Sequence, residues 1–366
     1  MRDLIKANAL LLAISVLTFI LMGAGQSLYG PALPVFAREY GIRFGTAGLL
    51  ISAHWIGCAL AVGVMFVWGH FVTPRLAAVA MALGAILLAL TAGWGLTLVG
   101  GLLFGAGYGG AVVVFNPRML QAFGARGPAM VSLLNATFGI GAIGAPLVFV
   151  ALGNDPMLSF AICAVLAIAL ALISGRLGGA KLATMQAGAG FRPHWPILGF
   201  ACVAIGIEAC LIGLGPAALI KAGLSETAAA QLLSAFFVSF LAARVILSFV
   251  AHLLPSFTLF TLALAGCALT CIVAALWAPG PSFVLLGLFA GVLFPTEYVT
   301  ASAKMGDHPR SAPTIIAAGL AGGIAFPLML APFLASLGER GFFWLAALAT
   351  GGLALVALAN LRSMNR

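Results

Sequence analysis

The sequence predicts an all-α polytopic membrane protein with twelve transmembrane helices in two pseudo-symmetric six-helix bundles. Three observations predict it. First, 63% of the 366 residues are hydrophobic and 7% are charged, with a mean hydropathy of +1.19. A water-soluble fold of this length cannot bury so much apolar surface, so the solvent is lipid. Second, the apolar residues run on without the alternation that membrane strands need. The runs last about 20 residues, enough for a helix to cross the hydrocarbon layer. Third, one long Gly-rich, basic interruption, residues 176–195, separates six runs from six more. It reads as a cytoplasmic linker between an N-terminal bundle, 1–175, and a C-terminal bundle, 196–366.

The expected spans are 8–36, 45–69, 76–93, 95–122, 128–152, 157–175, 196–222, 227–251, 257–278, 281–303, 311–335 and 341–362. Span 1 follows Arg2 and Lys6 as a signal peptide would, but it lacks a small-residue cleavage site and stays apolar to about Val35. It is therefore expected to be a retained helix. Its strongly polar residue is Gln26, span 2 carries His54, span 4 carries Asn116 and span 5 carries Asn135. An amide both donates and accepts, which suits binding of a polar solute. The alternative for each amide is interhelical glue, worth about 0.6 kcal/mol. For His54 the alternative is a satisfied packing residue. Trp55, Phe115, Phe138 and Tyr298 could stack on a sugar ring or serve as core.

Span 5 also contains GIGAIG at Gly139–Gly144, which matches a dinucleotide-binding fingerprint. That fingerprint needs a preceding strand. Inside a membrane helix the same glycines let neighbouring helices approach closely, as do GAGYGG at Gly105–Gly110 and AAGLAGGIAFP at Ala317–Pro327.

Span 7 places Glu208 about twelve residues from its start, or about 18 Å deep. Gly206, Gly213, Gly215 and Pro216 share that span. A charge near the bilayer centre costs at least about 2.5 kcal/mol, and such residues often mark an ion or substrate path. Glu208 therefore reads as a proton carrier or a hydrogen-bonding group for solute. The alternative is a protonated acid tying two helices together. Span 10 carries Glu297 in its inner half, and Arg244 of span 8 sits at a similar depth. Either Glu297 takes part in ion coupling, or the two form a buried gating pair that closes the inner side. Loss of one partner from such a pair typically costs about 3–5 kcal/mol.

The net charge of +9 follows topology. Twelve basic residues, among them Arg75, Arg118, Arg126, Arg176, Lys181 and Arg362, fall at ends expected inside, and Arg38, Arg43, Lys221 and Arg340 fall at the others. This bias fits two cytoplasmic termini in a bacterial inner membrane. No basic tract suits nucleic acid. The six cysteines lie in apolar runs and behave as small apolar residues. No cofactor, metal or enzymatic nucleophile–base pattern is expected.

The halves also repeat. GPALP at Gly30 answers GPAAL at Gly215, LISA at Leu50 answers LLSA at Leu232, and LFGAGYGGAV at Leu103 answers LFAGVLFPTE at Leu288. The first and third matches share an offset of 185 residues. Parallel six-helix repeats carry their substrate site near the midplane.

With these motifs the chain resembles a major facilitator transporter, and within that superfamily the fucose/glucose–galactose permease-like branch. The resemblance rests on GPALPVF, on FNP at Phe115–Pro117 followed by LLNATFGIGAIGAP, on GIEACLIGLGPAAL, on GVLFPTE at Gly291–Glu297 and on AGLAGGIAFP. It places Glu208 on the branch's usual span 7 acid. The chain departs from the pattern in lacking acids in spans 1 and 4, where Val112 stands at the span 4 position. Its span 2–3 signature shrinks to GHFVTPRL, and the counterpart after span 8, AHLLPSF, has no charged side chain.

The resemblance implies a secondary active transporter, monomeric, that moves a small polar solute such as a sugar by alternating access with a proton or sodium as coupling ion. Gln26, His54, Asn116, Asn135 and Glu208 would contact solute, and Glu208 and Glu297 would handle the coupling ion. The competing expectation is a proton-driven exporter of amphipathic or drug-like compounds, because GAIGAP in span 5 loosely resembles an antiporter signature.

Overall fold

A computed structural model describes residues 2–67, 72–177, 191–306, 310–334 and 336–365. The centre of the expected linker, 178–190 with Lys181, lies outside the described residues. Among the described residues, eleven helices are long and apolar enough to cross a membrane, and Pro74–Leu90 is a shorter apolar helix. The chain is an integral membrane protein. It separates into two compact units, Met1–Ile42 with Leu49–Thr184, and Arg43–Gly48 with Met185–Arg366.

The first unit holds α1 (Ala9–Glu39), α2 (Leu49–Val67), α3 (Pro74–Leu90), α4 (Trp94–Phe123), α5 (Gly127–Ala151) and α6 (Pro156–Ser174). The second holds α7 (Trp195–Lys221), α8 (Glu226–Val250), α9 (Ser256–Leu276), α10 (Pro279–Met305), α11 (Ser311–Leu330) and α12 (Gly341–Ala359).

Helix starts follow local chemistry. Thr73 accepts from the Leu76 amide ahead of Pro74, and Asp155 accepts from Met157 and Leu158 ahead of Pro156. Such caps satisfy orphan N–H groups, and proline loses nothing at a first helical position. At the other ends, cations meet exposed carbonyls. Lys221 reaches the carbonyls of Leu334 (2.6 Å) and Leu337, and Arg340 donates to Leu276 at 2.7 Å.

Within the first unit, α1 packs on α5, α2 on α4, and α3 on both α4 and α6. The glycine-rich motifs make these crossings close. A Cβ on Gly141 would strike the Ile20 carbonyl, and one on Gly105 or Gly109 would strike the backbone of His54 or Cys58. In the second unit a Cβ on Gly322 would strike the Cys202 carbonyl. Gly144, by contrast, faces open space.

Candidate functional site

Each bundle carries polar groups at depth, and the helices fix where they stand. In the first unit Gln26 lies just past the midpoint of the 31-residue α1. Its Oε1 is buried and has no hydrogen-bond partner among the described residues. Asn116 lies seven residues before the end of α4, directly before Pro117. Its Oδ1 is likewise buried and unpartnered among the described residues. His54 of α2 is 1% exposed. Its Nδ1 lies 3.1 Å from the Tyr29 hydroxyl, while Nε2 is buried without a partner among the described residues. The Tyr29, Trp55 and Tyr108 rings stand edge-on to the imidazole, with centroids 5.2–5.4 Å away, and Tyr108 meets Phe138 at 90°.

Asn135 differs from the other amides. It is exposed, and its Nδ2 donates 3.0 Å back to the Val131 carbonyl of its own helix. The structure does not bring it to the other buried polar groups. Phe115 is 1% exposed and fills core.

In the second unit Glu208 is the central residue of the 27-residue α7. It is half-buried, and its Oε2 is sealed without a partner among the described residues. Glu297 lies eight residues before the end of α10 and is fully buried. Both of its carboxyl oxygens lack partners among the described residues.

Neither carboxyl oxygen of Glu297 accepts a hydrogen bond from Arg244, its expected partner in a gating ion pair, among the described residues, and the helix offers Arg244 another acceptor nearby. Pro295 has no N–H, so the Gly291 carbonyl four residues earlier loses its helical donor. Arg244 Nε donates to that carbonyl at 3.4 Å. Its guanidinium also lies 4.4 Å above the Phe240 ring, a cation–π contact.

A buried polar atom without a partner typically costs about 1–3 kcal/mol. Such atoms therefore call for an explanation, commonly a water, an ion or a function. Five of the residues chosen from the sequence, Gln26, His54, Asn116, Glu208 and Glu297, hold such atoms. Sequence reasoning missed Tyr29 and Tyr108. The chain has four tyrosines, and one within GQSLYGP of an apolar span was a readable signal.

No protein-family profile and no curated protein matches the sequence. Solved structures do match. A mutant of the nucleoside transporter NupG superposes with a TM-score of 0.77 at 15% identity, over 96% of this chain and 99% of that one. The Escherichia coli fucose:proton symporter FucP gives 0.65 at 18%, over 97% and 98%. A peptide transporter of the POT type gives 0.78 at 15%, over 97% and 95%. This chain has the major facilitator fold. At such identities the likeness is one of fold. The twelve helices in two units agree with it.

Proposed function

We propose that the protein is a secondary active transporter that moves a small polar solute, a sugar among the candidates, by alternating access and with a proton as coupling ion. The carrying observation is that Gln26, His54, Asn116, Glu208 and Glu297 hold buried polar atoms without hydrogen-bond partners among the described residues, in helices of the major facilitator fold. Amides and an imidazole in the first bundle supply donors and acceptors for hydroxyl or amide groups. Glu208, at the centre of α7, would take up and release the proton, with Glu297 as a second carboxyl on the coupling path. Both termini would be cytoplasmic in a bacterial inner membrane, and the working unit would be a monomer of two domains joined near residues 176–195.

The half-buried cluster of Trp55, Tyr108 and Phe138 favours a second reading, export of amphipathic compounds. A thermal-melting screen against sugars, nucleosides, peptides, organic acids and cationic drugs separates the two, because a ligand that binds the folded state raises apparent stability by mass action. Uptake of the best ligand into proteoliposomes should then accelerate under an imposed pH gradient. Uptake of a polar ligand that ignores the gradient would contradict proton coupling. Stabilisation by cationic drugs alone would replace the solute reading with the exporter.

A further inference from the structure

One imidazole in the first bundle is set among rings. His54 of α2 is 1% exposed and stands thirteen residues before Val67, the end of the helix, or about 20 Å along it. Four aromatic rings lie around it. Tyr29 of α1 and Tyr108 of α4 stand 5.2 Å away between centroids, Trp55 at 5.4 Å and Phe104 of α4 at 6.2 Å. Among the described residues one hydrogen bond reaches the imidazole, between the Tyr29 hydroxyl and Nδ1 at 3.1 Å. Tyr29 is 2% exposed, and its hydroxyl makes no second hydrogen bond among the described residues. Nε2 of His54 is buried and makes none.

These contacts decide where the protons sit. A phenol can donate or accept, and a neutral imidazole carries its proton on one nitrogen only. If Nδ1–H donated to the Tyr29 oxygen, two groups would be stranded in the core, the phenolic proton and the Nε2 lone pair. If Tyr29 donates to Nδ1, one group is stranded, the Nε2–H. Each stranded buried group costs free energy, so the second arrangement prevails. We infer that Tyr29 is a positioning residue that fixes His54 as the neutral Nε2–H tautomer, and that this N–H donates to an acceptor oxygen of the solute, a role that rests on the solute transport proposed above. The neighbouring rings offer the N–H at most a weak contact with a π face. Trp55 and Tyr108 are half-buried, so the wall beside the imidazole reaches accessible surface. A hydroxyl, ether or carbonyl oxygen of a solute on that wall can accept the bond. An ammonium, which can only donate, meets another donor at Nε2.

Magic-angle-spinning NMR of the full chain in lipid, with nitrogen-labelled histidine, tests the tautomer. The His54→Gln spectrum identifies the His54 signals by their loss. In the wild type the proton should sit on Nε2, and Nδ1 should resonate as a hydrogen-bonded acceptor. In Tyr29→Phe the Nδ1 signal should move downfield to that of an unbonded nitrogen. A proton on Nδ1 in the wild type, or an unmoved Nδ1 in Tyr29→Phe, would overturn the assignment. If Tyr29→Phe does not fold, the wild-type proton position alone decides. Isothermal titration with L-fucose, D-galactose and uridine then probes the solute. Tyr29→Phe should weaken the tightest of the three about fivefold. His54→Gln supplies an amide N–H near the Nε2 position without help from Tyr29, so adding Tyr29→Phe to it should cost less than about twofold. The same fivefold loss in both backgrounds would make Tyr29 a packing residue and overturn its positioning role. The expected spectra with no binding by any of the three would uphold the tautomer and overturn the solute's part alone.

Discussion

The first bundle packs α1 on α5, α2 on α4, and α3 on α4 and α6; the second packs α7 on α11, α8 on α10, and α9 on α10 and α12. The plan is the same six helices later, yet the buried chemistry differs. The first bundle carries amides and an imidazole. The second carries two carboxylates, while each bundle has a half-buried guanidinium, Arg118 in the first and Arg244 in the second. At the 185-residue offset, Glu297 stands opposite Val112 and Glu208 opposite Gly23. A Cβ on Gly23 would strike the Phe138 carbonyl, and one on Gly25 would strike the Phe104 ring. Neither Gly23 nor Gly25 has room for an acid as the helices stand. In the second bundle the close crossing of α7 and α11 uses Gly206 and Gly322, two residues before Glu208 in α7. The comparison shows how one packing plan can host amides and an imidazole in one half and carboxylates in the other.

The crossings themselves can be broken first. Gly23→Ala and Gly322→Ala should each destabilise by about 1–3 kcal/mol through overpacking, whereas Gly144→Ala, in open space, should stay within about 0.5 kcal/mol. Melting of the three variants in one detergent checks this, and an equal response from Gly144→Ala would contradict the packing account.

The charge assignment is sharper. A double-mutant cycle on solute affinity with Arg244→Gln and Glu297→Gln should be additive to within about 0.5 kcal/mol, because neither Glu297 oxygen accepts a hydrogen bond among the described residues. An interaction energy of about 1 kcal/mol or more would restore the Arg244–Glu297 pair.

The smallest effect separates two amides of the first bundle. Asn116→Ala should weaken solute binding about fivefold, the worth of one neutral hydrogen bond. Asn135→Ala should change it less than twofold, since its amide is engaged with Val131 of its own helix. Isothermal titration with the ligand from the melting screen reads both.

Much of this fold was legible because membrane helices declare themselves by apolar length. The structured spans start and stop within a few residues of the expected ones, although the second begins at Leu49, after a separate short helix Phe44–Ala47. Gln26, Asn116, Glu208 and Glu297 stood out because a polar side chain in such a run is costly. Partners were less legible. Sequence gives depth along a helix but not the neighbour across it. Arg244 and Glu297 share a depth, yet the carbonyl freed by Pro295 captures the arginine. Asn135 shares its type with Asn116, yet folds back on its own backbone. The bond between Tyr29 and His54 joins two helices whose facing sides no periodicity in so apolar a chain reveals.

The central claim is that Glu208 couples solute movement to a proton. Glu208→Gln reconstituted in proteoliposomes tests it most directly, with pH-gradient-driven uptake and solute exchange measured on the same vesicles. The account predicts that accumulation against a gradient is lost, by about 100-fold or more, in keeping with removal of a positioned proton-transfer group, while exchange of bound solute persists. Full gradient-driven accumulation by the variant would contradict it.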